Sequence, residues 1–387
     1  MKVLIVHNAY QSRFIGGEDI IVRREINGLK ANLGEQNVYE YIVHNDDIKP
    51  LKLLKNIWGD QFHFKQIQQL VKNHHIDIVH IHNFFPLLTP SVFKAAKKAG
   101  ALVIHTLHNF RWWCIAGTLF RQGNAACEKC LTQRFARSGV IHACYRNSRL
   151  QSLAAALAFR WYRFKAFQKH IDAYFVLSAF QREKLKGLIA SDKLHLKPNA
   201  VEMPNTVISY GNKKDYLYVG RLEAAKGIEL LLQTWVKLPS HFILSIIGSG
   251  EESTRLKKQY QKDNIVFLEQ CSQEEVFKAM QKAKYLIHPS LAYETFGLTI
   301  VESLARGTPV IGFQKGTRPE FIRTGENGFL CNEDELEQTI LRAENHPDYE
   351  SLSQNAFESA KPFYLQQVMN AQIDLYNQLL MTSRGAQ

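Results

Sequence analysis

Two carboxylates, two cations and a set of glycine turns are the parts of this sequence best suited to chemistry. The carboxylates lie in His288-Pro-Ser-Leu-Ala-Tyr-Glu-Thr-Phe-Gly-Leu-Thr-Ile-Val-Glu302. An apolar strand pattern ends at His288, a loop carries Glu294, and a helical pattern begins near Gly297. The backbone amides of Phe296, Gly297 and Leu298 then face outward at a helix N-terminus, a ready anion site. Glu302 falls one to two turns inside that helix, where a carboxylate can bind vicinal hydroxyls. The plainer reading is a capped helix with a glutamate on its solvent face. Upstream, Tyr218-Val-Gly-Arg-Leu-Glu-Ala-Ala-Lys-Gly227 puts Arg221 at a strand end and Lys226 at the next helix start. Two cations so placed can converge on one diphosphate. The turn Ile247-Gly-Ser-Gly-Glu251 allows close backbone approach at Gly248. It lacks the third glycine of the dinucleotide fingerprint, which argues against a Rossmann dehydrogenase.

The histidines and cysteines are separate sets. His80 and His82 alternate on one strand and so face one side, a geometry open to a metal but more often a hydrogen-bonded core. His105 reads as structural for the same reason. Cys114, Cys127, Cys130 and Cys144 give Cys-x12-Cys-x2-Cys-x13-Cys, close to a tetrahedral structural zinc site. The alternative is four unrelated buried thiols. Cys271 and Cys331 read as packing residues. Zinc here would staple an insertion at about 111–150 and take no part in catalysis.

The elements that must position these residues alternate between strand and helix. Strands are expected at 2–6, 77–82, 101–107 and 173–177, then in a second series at 216–219, 242–247, 265–267, 285–288 and 309–311. Helices are expected at 18–31, 67–72, 91–98, 227–236, 251–260, 273–281 and 298–305. Alternation of this kind means parallel, doubly wound sheets, and ligands bind beyond the strands' carboxyl ends. The chain divides as 1–197, 198–363 and a final helix within 364–387.

The ordered set of Gly16-Gly17, Gly220-Arg221-x5-Gly227, Gly248-Ser-Gly-Glu251 and Glu294-x7-Glu302 resembles the retaining GT-B glycosyltransferases of group 1, family 4. Thr106-Leu-His108, Pro198-Asn199-Ala200 and Glu326-Asn-Gly-Phe-Leu330 extend the likeness over nearly the whole chain. The resemblance implies two Rossmann-like domains facing a central cleft, with the last helix crossing back to the first domain. It implies that Arg221 and Lys226 neutralise a departing nucleoside diphosphate. Glu294 would contact hydroxyls of the transferred sugar and Glu302 would bind the ribose. The amides of Phe296, Gly297 and Leu298 would meet sugar and phosphate. Gly16 and Gly17 would face the diphosphate, Gly220 and Gly248 would line the donor, and His108 would sit beside the sugar. A UDP- or GDP-sugar is the implied donor, and no metal is needed for the reaction.

Charge narrows the acceptor. Residues 1–197 hold 29 Lys and Arg against 13 Asp and Glu, and between Lys129 and Ile171 there are nine basic residues and no acidic one. Phe159, Trp161, Tyr162, Phe164 and Phe167 stand among those cations, a mixture suited to an anionic membrane surface. The expected acceptor is therefore a lipid-linked glycan, in surface polysaccharide or lipopolysaccharide assembly. The expected location is cytoplasmic, peripheral on the inner face of the membrane, because no apolar run approaches the ~20 residues of a span. Nucleic acid is not expected as a partner. The rivals are a GT-B nucleotide-sugar epimerase and a zinc-stabilised nucleic-acid-binding protein, which leaves Arg221, Lys226, Glu294 and Glu302 unexplained.

Overall fold

A computed structural model describes residues 1–10, 16–47, 56, 58–121, 126–167, 169–205, 208–211, 213–268 and 271–385. The loop residues 11–15 before Gly16, part of the expected insertion at 122–125, and the last two residues of the final helical segment fall outside them. The chain forms two compact units, residues 1–119, 128–200 and 365–387 in the first and 120–127 and 201–364 in the second.

In the first unit the order is β1 (Val3–Ala9), α1 (Gly17–Leu33), β2 (Val38–His44), α2 (Gln61–His74), β3 (Ile78–Ile81), α3 (Ser91–Lys98) and β4 (Leu102–Thr106). It continues with α4 (Arg137–Ile141), α5 (Arg149–Lys165), β5 (Ala173–Val176), α6 (Ala179–Leu185) and β6 (Leu194–Leu196). All six strands run parallel in the order β2-β1-β3-β4-β5-β6. Strand order reverses between β1 and β3, so the ends of those strands open a crevice for a ligand. Central strands β1, β3, β4 and β5 are buried along their whole length, which is why they read as largely apolar, interrupted only by His7, Asn8, His80, His105 and Thr106.

The second unit runs β7 (Lys214–Val219), α7 (Ile228–Trp235), β8 (Leu244–Ile247), α8 (Ser253–Tyr260), β9 (Ile265–Leu268), α9 (Gln273–Lys282) and β10 (Ala283–His288). Then follow α10 (Leu298–Leu304), β11 (Val310–Phe313), α11 (Arg318–Phe321), β12 (Gly328–Cys331), α12 (Leu336–Glu344) and α13 (Tyr349–Ala360). Its sheet order, β12-β11-β10-β7-β8-β9, switches between β7 and β10. Trp235, Tyr216, Tyr285 and Leu244 anchor its core, each such side chain worth about 1.5–3 kcal/mol of burial.

The last helix, α14 (Leu365–Gly385), packs with the first unit. Val368, Met369 and Tyr376 enter the core beside Val22, Ile26 and Leu29 of α1. Gly28 makes this possible, since a Cβ there would lie 2.7 Å from Met369 Sδ.

The expected alternation is observed, with three strands beyond it. β2 carries Glu40 and is mostly half-buried, β6 has three residues at a sheet edge, and β12 has four. Edge strands lack the long apolar run that marks a buried one. Helix α5 also went unread, because its cations obscured the small residues Ser152, Ala155, Ala156 and Ala158 on its buried face.

Candidate functional site

In the second unit the switch point brings Arg221, Lys226 and Glu294 to neighbouring strand ends. Gly227, at φ +67°, is the hinge of the arrangement. A Cβ on it would lie 1.9 Å from the Pro289 carbonyl oxygen, so only glycine lets the β7 loop rest on the β10 loop. The amides of Leu291 and Ala292 both donate to Ala225 O, tying the loops together. Lys226 Nζ then donates to Glu294 Oε1 at 2.7 Å. Burial alone would push the Glu294 carboxyl up, but the charge and hydrogen bond of Lys226, together with the fields of His288 and Arg318, hold it well below the usual carboxylate range. Arg221 is more open, its side chain 68% exposed, and it pairs with Glu223 at 3.0 Å.

The reading missed two residues behind this pair. Arg318 is fully buried; its Nε donates to Phe313 O at 2.7 Å, and its guanidinium field also favours an ionised Glu294. His288 Nε2 lies 3.9 Å from Glu294 Oε1, and burial pushes the ring down to about 3, so it is neutral. His288 was visible as the end of a strand; nothing local distinguished Arg318 from a surface arginine.

The structure adds detail at the Gly248 turn and at Glu302. The Gly248 turn is shaped first by its own backbone: at φ +148°, a Cβ would lie 1.9 Å from Gly220 O, and one on Gly250 2.3 Å from Leu222 O. Both glycines therefore serve the packing of the β8 turn on the β7 loop. Glu302, for its part, is buried, which removes the solvent-face alternative. The left-handed Gly297 caps α10, and Phe296 is anchored between Phe321 and Phe363, with ring centroids 5.0 and 5.8 Å away.

In the first unit the β1–β3 switch point gathers His7, His82 and His108. Gly16 is the N-cap of α1, and Asp19 closes the turn by accepting from Gly16 N at 3.2 Å. The other Asp19 oxygen meets His7 Nε2 at 2.8 Å, fixing α1 to the end of β1. Gly17 has open space where a Cβ would point. His82 Nδ1 and His108 Nε2 share a hydrogen bond of 2.9 Å, and Glu18, Phe85 and Arg111 line the same small hollow. His105 lies beneath, donating from Nδ1 to Ile81 O at 2.8 Å and accepting from Trp112 Nε1 at 2.9 Å; both ring nitrogens serve the core.

Glu25, His80 and His82 have ligating atoms within 4.8 Å of one another. The set does not fit a metal. Lys197 Nζ donates to Glu25 Oε2, so an ammonium already balances the carboxylate that a cation would need. Both ring nitrogens of His80 are hydrogen-bonded, to Tyr376 Oη and Thr106 Oγ1, each at 2.6 Å. The hydrogen-bonded core reading of His80 and His82 therefore prevails.

Among the cysteines, Cys114 and Cys130 are buried and Cys144 is half-buried. Cys130 and Cys144 meet in one apolar cluster around Ile115, Ala136 and Ala155. Gly139 completes that cradle: a Cβ there would lie 2.8 Å from Ile115 and 3.7 Å from Cys130 Sγ. Cys127 falls in the segment grouped with the other unit, and among the described residues the four cysteines do not form a group of three or more ligating atoms close enough to share one ion. Cys331, the last residue of β12, is buried beside β11 and Cys271 is half-buried, in keeping with packing roles.

Helix α5 presents Leu150, Leu153, Leu157, Trp161 and Phe164 to solvent at spacings of three and four, one continuous face. Lys165 Nζ sits 4.5 Å from the Trp161 ring centroid and Lys169 Nζ 4.9 Å from that of Phe164. Beside them is a groove of about 700 Å³ whose lining includes Trp58, Trp161, Tyr162, Lys94, Lys98 and Lys169. No helix among the described residues is long and apolar enough to cross a membrane.

Residues 202–359 match the model for glycosyl transferases group 1, and residues 27–203 match that for glycosyltransferase family 4. An uncharacterized glycosyltransferase of Methanocaldococcus jannaschii is 29% identical over 198 residues, covering 48% of this chain and 55% of that protein. The phosphatidyl-myo-inositol mannosyltransferase of Mycobacterium leprae is 32% identical over 184 residues, covering 40% and 49%. The chain spans about half the length, or less, of the curated relatives it matches. Among solved structures, sucrose-phosphate synthase from Thermosynechococcus elongatus superimposes with a TM-score of 0.70 at 17% identity, over 99% of this chain and 100% of that one. Anabaena HepE in complex with UDP gives 0.65 at 15% identity, over 98% and 100%. These likenesses show the GT-B fold.

Proposed function

Because the chain belongs to the GT4-type glycosyltransferases, we propose that it moves a sugar, with retention of configuration, from a nucleoside-diphosphate sugar to a glycan acceptor. The observation that carries this reading is the Lys226–Glu294 pair at the β7–β10 switch point, with Arg221 on the same loop. A leaving diphosphate gains negative charge as the glycosidic bond breaks. Fixed cations beside it lower the barrier without a metal ion. Lys226 and Arg221 supply those cations, and Glu294, held ionised, accepts from hydroxyls of the transferred sugar. Glu302 is assigned to the ribose, and the amides of Phe296, Gly297 and Leu298 to sugar and phosphate. Gly16, Gly17 and His108 are assigned to the donor from the first unit. Retention follows from same-face attack, the departing phosphate taking the acceptor's proton.

UDP- or GDP-sugars are the proposed donors; HepE was solved in complex with UDP. A lipid-linked glycan is the proposed acceptor, at an anionic membrane surface and in surface polysaccharide or lipopolysaccharide assembly. Support for the membrane surface comes from the apolar face of α5 with Lys165 and Lys169 beside it. A structural zinc on Cys114, Cys127, Cys130 and Cys144 completes the proposal; elemental analysis finding none would remove it.

A panel of UDP- and GDP-sugars, scored for slow hydrolysis by mass spectrometry, tests the reaction. Turnover of one donor, reduced at least tenfold in Lys226→Ala, supports it; no turnover of any, and no thermal shift with UDP or GDP, overturns it. Pelleting with vesicles of phosphatidylglycerol tests the membrane reading, with salt-sensitive binding expected and no binding fatal to it.

A further inference from the structure

Between α2, α3 and α5 the first unit holds a groove of about 700 Å³ that no step of the reaction above uses. Its aromatic wall is tied in place. Trp161 Nε1 donates to Trp58 O at 3.3 Å, and the two indoles meet edge to face with centroids 5.9 Å apart. Ser91 Oγ donates to Asp60 O at 3.1 Å, which joins the start of α2 to α3. Tyr162, itself buried, completes the wall.

Around that wall stand Lys94 and Lys98 of α3, Lys165 at the end of α5 and Lys169 just beyond it. The described lining holds no aspartate or glutamate. Among the described residues none of the four ammonium groups is in an ion pair, and Asp172 is taken by Lys97 at 2.6 Å. Their field is felt in the groove: the His170 ring, also in the lining, is pushed down by burial first and then by Lys94 and Lys169. Like charges held around one hollow favour an anion between them. A phosphodiester headgroup carries a single negative charge and a diphosphate carries more, which suits four cations better. Hydrocarbon surface adjoins the same place. Trp161 belongs both to the groove and to the exposed face of α5, where Leu153, Leu157 and Phe164 also lie.

We infer that this groove seats the diphosphate of a lipid-diphosphate acceptor, whose hydrocarbon chain lies along the exposed face of α5. The inference rests on the lipid-linked acceptor proposed above and adds the group that is recognised and the residues that hold it. One turn earlier on α5, Phe159 lines the hollow beside His82 and Arg111. A sugar joined to that diphosphate therefore starts about one turn of helix from the hollow.

Farnesyl diphosphate is the probe, because it carries both parts and needs no donor. Trp58 and Trp161 are the exposed members of the five tryptophans, so quenching of intrinsic fluorescence reports on the groove. Saturable quenching of the full chain is expected, at least about tenfold tighter than with farnesol or with inorganic pyrophosphate. Combining Lys94→Gln with Lys98→Gln should weaken binding at least about tenfold at an unchanged thermal midpoint. Lys226→Ala, in the other unit, should leave it unchanged. Equal affinity for pyrophosphate or for farnesol, or binding untouched by the double substitution, overturns the inference. Loss of binding in Lys226→Ala does so too, since it would put the probe at the donor loops. Phosphatidylglycerol vesicles separate this site from general membrane attraction: the double variant should still pellet with them, and a loss of pelleting as large as the loss of probe binding also overturns the inference. A parent protein that pellets with vesicles but ignores farnesyl diphosphate sinks the groove and spares the membrane reading. One that binds the probe as described but turns over no nucleotide sugar upholds the groove and sinks the transferase reading.

Discussion

Lys226 and Glu294 stand 68 residues apart in sequence and 2.7 Å apart in space, one at the end of each strand flanking the second sheet's switch point. The pair occupies the place where an α/β sheet binds its ligand. Lys226→Ala is expected to lower kcat of donor turnover at least tenfold, with the circular dichroism spectrum unchanged. Arg221→Ala should do the same, since its guanidinium is free to turn from Glu223 toward an anion. Near-normal turnover in both variants would remove the diphosphate assignment.

Gly227→Ala tests what holds that pair in place. The new methyl would meet the Pro289 carbonyl at 1.9 Å on a backbone at φ +67°. Both effects oppose alanine, and a loss of at least ~1 kcal/mol in stability is expected. The Lys226–Glu294 contact should open with it, so turnover falls further than the stability change alone explains. A variant as stable and active as the parent would contradict the described loop packing.

Buried histidines make the fold acid-sensitive. Burial pushes His82, His105 and His288 each down to about 3. Unfolded, each takes up a proton near pH 6.5; folded, none does until the pH is far lower. The unfolded state thus binds more protons between those values, and stability falls as pH drops below about 6.5, by at most ~1.4 kcal/mol per pH unit for each ring. Thermal midpoints at pH 7, 6 and 5 should decline stepwise, and His105→Gln should flatten the decline. A midpoint constant from pH 7 to 5 would contradict this.

Lys197 and Glu25 form a buried ion pair, each less than 5% exposed. Lys197→Met leaves the carboxylate uncompensated and is expected to cost about 3–5 kcal/mol. Combining it with Glu25→Gln should recover part of that loss, because the stranded charge goes too. Urea unfolding of the four proteins measures the coupling, and simple additivity of the two losses would show that the residues do not interact.

The sequence alone determined the alternation of strand and helix, the two sheets and the loops bearing Arg221, Lys226 and Glu294. Those features are local: central parallel strands are apolar on both faces, and glycines mark the turns that need them. Edge strands β2 and β6 escaped because half-buried residues carry no such pattern, and β12 because four residues opening on a glycine make too short a run. Tertiary structure alone decided which groups meet. Arg318 stands behind Glu294 because α11 folds beneath the β10 loop, and Glu25 reaches His82 because the switch in strand order places α1 over β3. Gly248 packs with its open side against the Gly220 carbonyl, a contact no local pattern announces, since a glycine's missing side chain does not say what takes its space. Periodicity records which side of an element is buried, whereas a contact between distant segments depends on how the sheets are wound.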